Sequence, residues 1–390
     1  MDFGLTQEQR ILSDMVGRFL ADRYRFEARR AILRSPEGWS REVWASLAEL
    51  GLLGLQVPEE HGGMAPAAVE TLLTMTAFGK ALVVEPYLSS AILGTALVRE
   101  LGSAAQREEL LPAMAAGERI AIPAHGEPGT RHDLERVAVT AARKGGGWVL
   151  RGQKAVVPHA PAADLLLVSA RTGGRTDEPA GISLFAVRRD APGLELTAYR
   201  TLDGQAAADL ALADVTVPAS ALLGPEGGAF GALSAVWDLG VAALCAEAVG
   251  ALQAILDGTI EYVKTRKQFG QPIGKFQALQ HRMADMLIHV EQARSMAYLA
   301  SMRAGEPDVR ARGRALSAAK VVVGQACRFV GQQAVQLHGG MGVTDELVVS
   351  HHFRRLTAIE LSMGDTEHHL ERFIQNAPPA ASPGPARENA

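Results

Sequence analysis

Arg266-Lys267-Gln268-Phe269-Gly270-Gln271-Pro272-Ile273-Gly274-Lys275-Phe276-Gln277-Ala278-Leu279-Gln280 is the stretch on which the fold turns. It opens with two cations and an aromatic residue, passes through a Gly-Gln-Pro-Ile-Gly turn, and enters a new helical period at Phe276. Arg266 is a permanently charged, planar fork suited to a diphosphate, and each such charge-assisted contact contributes about 1.5–3 kcal/mol. Phe269 adds an aromatic face to the motif. Farther on, Gln336-Leu337-His338-Gly339-Gly340-Met341-Gly342 sets two glycines where backbone N–H groups can approach an anionic group, with Gln336 as a hydrogen-bonding partner.

Outward from these motifs the period of the chain is helical on both sides. After Gly224-Pro225-Glu226-Gly227-Gly228, apolar spacing predicts four long helices over 230–265, 276–304, 309–338 and 344–375, joined by short links into a bundle. Ala242, Ala243, Ala246, Ala248 and Gly250 allow a close helix approach. Upstream of it the period is two, with short runs at 120–124, 137–142, 148–157, 165–170, 182–187, 194–199 and 210–217. Glycine and proline turns separate them, which predicts a sandwich or barrel, not βαβ units. Before Gly117 the spacing is helical again: a segment after Thr6, with Gln9 completing a capping box, then 41–50, 67–81, 89–101 and 104–115. The fold class is therefore α+β and multidomain. An all-α domain spans 1–118, an antiparallel β-barrel 119–222 and a four-helix bundle 223–376, with a proline- and alanine-rich disordered tail over 377–390.

Composition narrows the function classes. A chain of 390 residues with 47% apolar content can bury a sizeable core, and a net charge of -4 leaves no basic face for nucleic acid. Cys245 and Cys327 read as core thiols in a reducing cytosol. The first ten residues lack the pattern of a signal peptide, and no uninterrupted apolar run reaches the length of a membrane span, so a soluble, cytoplasmic protein is expected. His351-His352 and His368-His369 do not predict a metal, because adjacent side chains on a helix point about 100° apart. Trp237 reads as packing, with shaping of a ligand tunnel as the functional alternative.

In the order helical domain, β-barrel, helical bundle, and in both motifs together with Ala284-Asp285-Met286, the chain resembles the acyl-CoA dehydrogenase superfamily from Leu5 to Arg372. More closely it is similar to the small subunits of two-component dehydrogenases of the pimeloyl-CoA type, which act on acyl chains with a distal carboxylate or bulky group. The resemblance implies FAD as cofactor, an acyl-CoA substrate, an electron-transfer flavoprotein as acceptor and a tetrameric assembly. It also implies that Arg266, Phe269, Gln280, Gln336, Gly339 and Gly340 reach a neighbouring chain's FAD.

The same resemblance exposes departures. Family chemistry removes the α-proton of a thioester with a glutamate while hydride passes from the β-carbon to the flavin, and a general base of this kind contributes about 10²–10⁴-fold. Met363-Gly364-Asp365-Thr366 falls where the family has aromatic-Glu-Gly-Thr, so the base position is Gly364. The alternative position, on the first long C-terminal helix, is Gly240. Glu127-Pro128-Gly129-Thr130-Arg131-His132-Asp133 carries Arg131 and His132 in place of a glycine and a serine. Lys154-Ala155-Val156-Val157-Pro158-His159 lacks the tryptophan and threonine that flank the flavin ring, and Pro158 has no N–H to offer it. The expectation is a subunit that lends half a site to a catalytic partner chain. Two alternatives stand beside it. One is a self-sufficient, homomeric enzyme with a relocated carboxylate, for which Glu360, Asp365 and Asp238 are the reserve bases. The other is a non-catalytic acyl-CoA-binding or scaffold protein.

Overall fold

The computed structural model describes residues 4–64 and 67–378. The expected tail is described only at Ala377 and Pro378, and 379–390 lie outside the described residues.

The N-terminal region is helical: α1 (Gln7–Arg23), α2 (Phe26–Arg34), α3 (Arg41–Glu49), α4 (Ala68–Ala81), α5 (Thr95–Leu101) and α6 (Ala104–Ala115). The capping box forms at α1, with the Gln9 N–H donating to Thr6 Oγ1 at 3.2 Å and the Thr6 N–H donating to Gln9 Oε1 at 3.0 Å. Thr6→Ala is expected to lower stability by about 1 kcal/mol, checked by the shift of the urea midpoint at unchanged slope. Two features depart from the sequence reading. Helix α2 was not anticipated, and the helix expected over 89–101 begins instead as a π-helix, Tyr87–Gly94, that gives way to α5. Gly94 faces the carbonyl of Ala121, where a side chain has no room.

The middle region is a sheet of β1 (Ala121–Ala124), β2 (Thr140–Lys144), β3 (Gly147–Pro158), β4 (Leu165–Arg171), β5 (Ile182–Arg188), β6 (Leu194–Arg200), β7 (Ala206–Pro218) and β8 (Leu222–Leu223). Its order is β6-β7-β3-β2-β4-β5-β8, with β1 added alongside β4. Most of the pairing is antiparallel, as expected of the middle region. Strand β1 runs parallel to β4, β2 meets β4 in parallel at Thr140 and Arg171, and among the described residues no ladder joins β6 to β8. The run expected at 137–142 begins pairing only at Thr140. The N–H groups of Ala138 and Val139 are taken by the Glu127 carboxylate instead.

The C-terminal region comprises α7 (Phe230–Thr265), a hairpin of β9 (Lys267–Gln268) and β10 (Gln271–Pro272), α8 (Gln277–Arg303), α9 (Val309–His338), α10 (Val348–Leu361) and α11 (Thr366–Gln375). The single helix expected over 344–375 is two. Met363 at φ 55° and Gly364 at φ 108° turn the chain, and the buried Lys320 ammonium ties off the break by donating to the carbonyls of Glu360 and Gly364. Helix α7 is long and apolar enough to cross a membrane by length and composition only; Asp238 and Glu247 interrupt its apolar run, and most of its apolar stretch is buried within the protein. It is wrapped by α4, α8, α9 and α10. Where α4 crosses it, Gly79 packs on the Glu247 carbonyl and Gly250 on that of Thr76, leaving no space for a methyl group on either.

Candidate functional site

Two surfaces carry the residues singled out in the sequence. The first is an arm. At the end of α7 the Arg266 N–H donates to the carbonyl of Tyr262, and the hairpin projects Phe269 into solvent, 89% exposed in a left-handed conformation at φ 54°. The arm's base is braced: the Ile273 N–H donates to the Arg266 carbonyl at 2.8 Å, and Gln280 Nε2 donates to Gly274 O at 2.9 Å. Tyr262, one turn before Arg266, stacks on His338 with ring centroids 4.2 Å apart and donates to the His338 carbonyl. That contact places the arm beside Gly339 and Gly340. Both glycines are exposed and have open space where a side chain would stand, and Gln336 is exposed beside them. Gln280 is partly committed to holding the turn; Arg266, Phe269, Gln336, Gly339 and Gly340 are presented outward.

The second surface is the seam where the N-terminal helices, the sheet and α7/α10 meet, and here the chain is closed on itself. The N–H groups of Ala155, Val156 and His159 donate to Gly126 O, Asp209 Oδ1 and Ala206 O, and Pro158 has none. The buried Lys154 ammonium donates to Glu127 Oε1, His125 O and Ser169 Oγ. Burial, with Lys154 beside it, pushes the His125 imidazole down to about 3. His132 turns toward Asp365, 3.8 Å away, and toward the ring of His368. Asp365 caps α11 by accepting from the His368 N–H, so that helix N-terminus is already satisfied by a carboxylate.

A side chain at either base position would require its neighbours to shift. A Cβ on Gly364 would sit 2.5 Å from His369 Nε2 and 2.6 Å from the His368 ring. A Cβ on Gly240 would sit 2.5 Å from the Met363 methyl and 2.8 Å from Leu93. The reserve carboxylates are engaged as well. Glu360 accepts from Thr366 N, Thr366 Oγ1 and Arg328. Asp238 is clasped by Arg312 and Arg372.

A cavity of about 190 Å³ lies in the seam, walled by Phe78, Tyr87, Leu93, Trp237, Leu244 and Met363 among others. One side carries Glu85, Asp203, Glu247 and Arg355. The Arg355 guanidinium donates twice to Glu247 and once to Asp203. Burial works against charge on Arg355, yet the two carboxylates raise its pKa; burial likewise works against Asp203, which Arg355 holds below the usual carboxylate range. Glu85, pushed up by burial, accepts from Tyr24 OH and Ser40 N. None of these four was identified from sequence. Glu247 and Arg355 stand 108 positions apart, and their pairing has no local signature.

Outward-facing charge, aromatic ring and glycines therefore suit a dinucleotide, while the seam offers no free N–H from Ala155, Val156, Pro158 or His159 to a flavin ring. A helical domain, a sheet and a helical bundle bearing such an arm define a dinucleotide-dependent dehydrogenase of three-part build. The chain belongs to the acyl-CoA dehydrogenase family: the family's N-terminal, middle and C-terminal domain models match residues 6–118, 124–215 and 232–377. FAD is the cofactor of that family. The chain is 31% identical to the probable acyl-CoA dehydrogenase YngJ of Bacillus subtilis, over 96% of its own length and 98% of that protein. Among solved structures, a variant of the Tcur3481–Tcur3483 steroid ACAD is 31% identical with a TM-score of 0.85, covering 95% of this chain and 97% of that one. A chain of the ChsE4–ChsE5 complex from Mycobacterium tuberculosis is 27% identical with a TM-score of 0.85, covering 96% and 98%. Among the described residues no group of three His, Cys, Asp or Glu side chains is arranged to hold a metal.

Proposed function

We propose that this chain is the supporting subunit of a cytoplasmic, two-component, FAD-dependent acyl-CoA dehydrogenase that forms a trans-2-enoyl-CoA. A partner of the same family supplies the carboxylate base, and this chain lends it the arm and the Gln336–Gly340 turn. The observation that carries the reading is that both base positions are glycines, Gly364 and Gly240, while Asp238, Glu360 and Asp365 are committed to structural contacts. The two-chain names of the Tcur3481–Tcur3483 and ChsE4–ChsE5 relatives support a heteromeric assembly, two of each chain on the sequence resemblance.

When bound, FAD would supply the hydride acceptor for oxidation at the acyl β-carbon. Arg266 would hold the diphosphate by charge-assisted hydrogen bonds, Phe269 would cover the adenine side, and Gly339 and Gly340 present N–H groups with no side chain in the way. An electron-transfer flavoprotein would be the electron acceptor, by the same resemblance. The acyl group is of the class implied by the pimeloyl-type resemblance, with a distal carboxylate or bulky end; the steroid relative supports the bulky end.

The test is to purify the chain alone and with a dehydrogenase-like partner, then measure FAD per chain and acyl-CoA-dependent reduction of an electron acceptor. Alone it is expected to be colourless and inactive; the complex should hold one FAD per two chains. Arg266→Ala in the complex should weaken FAD retention by about 10- to 150-fold. A yellow, active homomer would overturn the proposal in favour of the self-sufficient reading, and FAD content indifferent to Arg266→Ala would favour the scaffold.

A further inference from the structure

We propose that Tyr262 and His338 are positioning residues for the dinucleotide: their stacked rings lock the arm to the glycine turn, so that two separate segments grip one ligand as a unit. This rests on the reading that Arg266, Gly339 and Gly340 hold FAD. Each ring stands where a long helix gives way to one of those segments. Helix α7 ends at Thr265, and the chain turns extended at Arg266, with φ -69° and ψ 121°. The Tyr262 carbonyl accepts from the Arg266 N–H at 2.8 Å and from the Thr265 hydroxyl at 3.1 Å, so the tyrosine is the root of the arm. His338 is the last residue of α9, and Gly339 leaves it at φ 60° and ψ -143°. The ring centroids lie 4.2 Å apart with planes 27° from parallel, and the Tyr262 hydroxyl donates to the His338 carbonyl at 3.4 Å.

The histidine is itself immobilised. It is buried, and its Nδ1 lies 2.8 Å from the Ala334 carbonyl one turn back, so Nδ1 carries the proton and donates. Burial holds the imidazole below its ordinary value, which keeps the stacked ring neutral near pH 7. The turn folds back over it. A Cβ on the buried Gly342 would come within 3.1 Å of the His338 Cβ and 2.8 Å of the Val335 carbonyl, so only glycine lets the loop close there. His338 therefore fixes where Gly339–Gly342 stands, and Tyr262 fixes where Arg266 stands.

Other contacts brace each segment only against itself. Within the arm the Ile273 N–H donates to Arg266 O and the Gln280 amide to Gly274 O; within the turn the Thr344 N–H and hydroxyl donate to Met341 O. Among the described residues no hydrogen bond or ion pair joins 266–276 to 339–343 directly. An arm released from the stack would pivot about Arg266, and the entropy of fixing it again would oppose binding.

The test measures FAD dissociation from whichever assembly holds it, this chain with a partner or with itself, by the fluorescence of flavin released on dilution. Tyr262→Ala should weaken FAD retention about tenfold, whereas Tyr262→Phe and His338→Phe, which keep two stacked rings, should stay within about threefold of the parent. In the Tyr262→Ala background, Arg266→Ala should cost clearly less than it does in the parent, because the guanidinium no longer arrives in place. That coupling separates positioning from general loss of structure, and the urea midpoint of each variant checks the fold. If Tyr262→Ala does not fold, His338→Ala carries the same test. Alanine variants that hold FAD as the parent does, phenylalanine variants that lose it as the alanines do, or an Arg266→Ala cost unchanged by Tyr262→Ala would each overturn the inference alone. FAD retention indifferent to Arg266→Ala would overturn the reading of the arm, and the inference with it.

Discussion

Glutamate placed at position 364 is expected to unfold the chain and not to activate it. Gly364→Glu should lower stability by more than about 4 kcal/mol, from backbone strain, overpacking and a buried unpaired carboxylate. It meets the two histidines of α11, and φ 108° is a conformation that side-chain-bearing residues rarely adopt. Gly240→Glu should cost less, because its side chain meets the flexible ends of Met363 and Leu93, which border the seam cavity. Urea denaturation gives the stability, and an acyl-CoA-dependent dye assay gives the activity. A Gly364→Glu variant that folds within about 1 kcal/mol of the parent and turns over substrate would show that position to be vacant and not closed.

Mild acid is expected to have an even larger effect. Burial first of all holds four imidazoles down: His125 to about 3, His159 to about 4, His352 to about 3 and His369 to about 2, against an ordinary value of 6.5. Their hydrogen bonds suit neutral rings: His125 lies between Ser169 Oγ and the Leu134 carbonyl, and His369 between Ser317 Oγ and the Met363 carbonyl. The unfolded chain takes up a proton on each near pH 6.5, whereas the folded chain does not until well below. The unfolded state therefore binds more protons across that interval, and stability falls as pH falls. Each group contributes about 1.4 kcal/mol per pH unit, so the four together remove about 5 kcal/mol per unit between roughly pH 6 and 4. The contribution is complete above about pH 6.5. Glu85, with its raised value, works the other way, and Asp203, held low, adds to the loss only in the carboxylate range. Denaturation midpoints at roughly pH 7.5, 6.5 and 5.5 check this; a flat profile across that range would mean the rings are hydrated or already protonated in the fold.

Long, strongly periodic elements were legible in the sequence. The bounds of α7 and α9 agree with the periods over 230–265 and 309–338, because an apolar stripe of that length leaves no competing structure. The break between α10 and α11 was not legible, since apolar spacing continues through Leu361 and Met363 and the turn depends on Lys320, 40 positions away, catching the Glu360 carbonyl. Helix α2 was hidden by its polar composition, with Arg29 buried against the Leu82 carbonyl and His351. For the site, Arg266 and the two glycine positions stand out because their motifs are contiguous. The cavity does not, because its wall is assembled from residues between Met75 and Met363 that meet only on folding.

The bare Phe269 ring at the tip of the hairpin has a consequence for the cell. If its cover is another polypeptide, any surplus of this chain over that polypeptide is left displaying a sticky finger, with Met341 and Val343 also bare on its surface. Unmatched copies would then be the ones that aggregate or reach the proteases first, so dosage of the two genes would matter as much as the sequence of either.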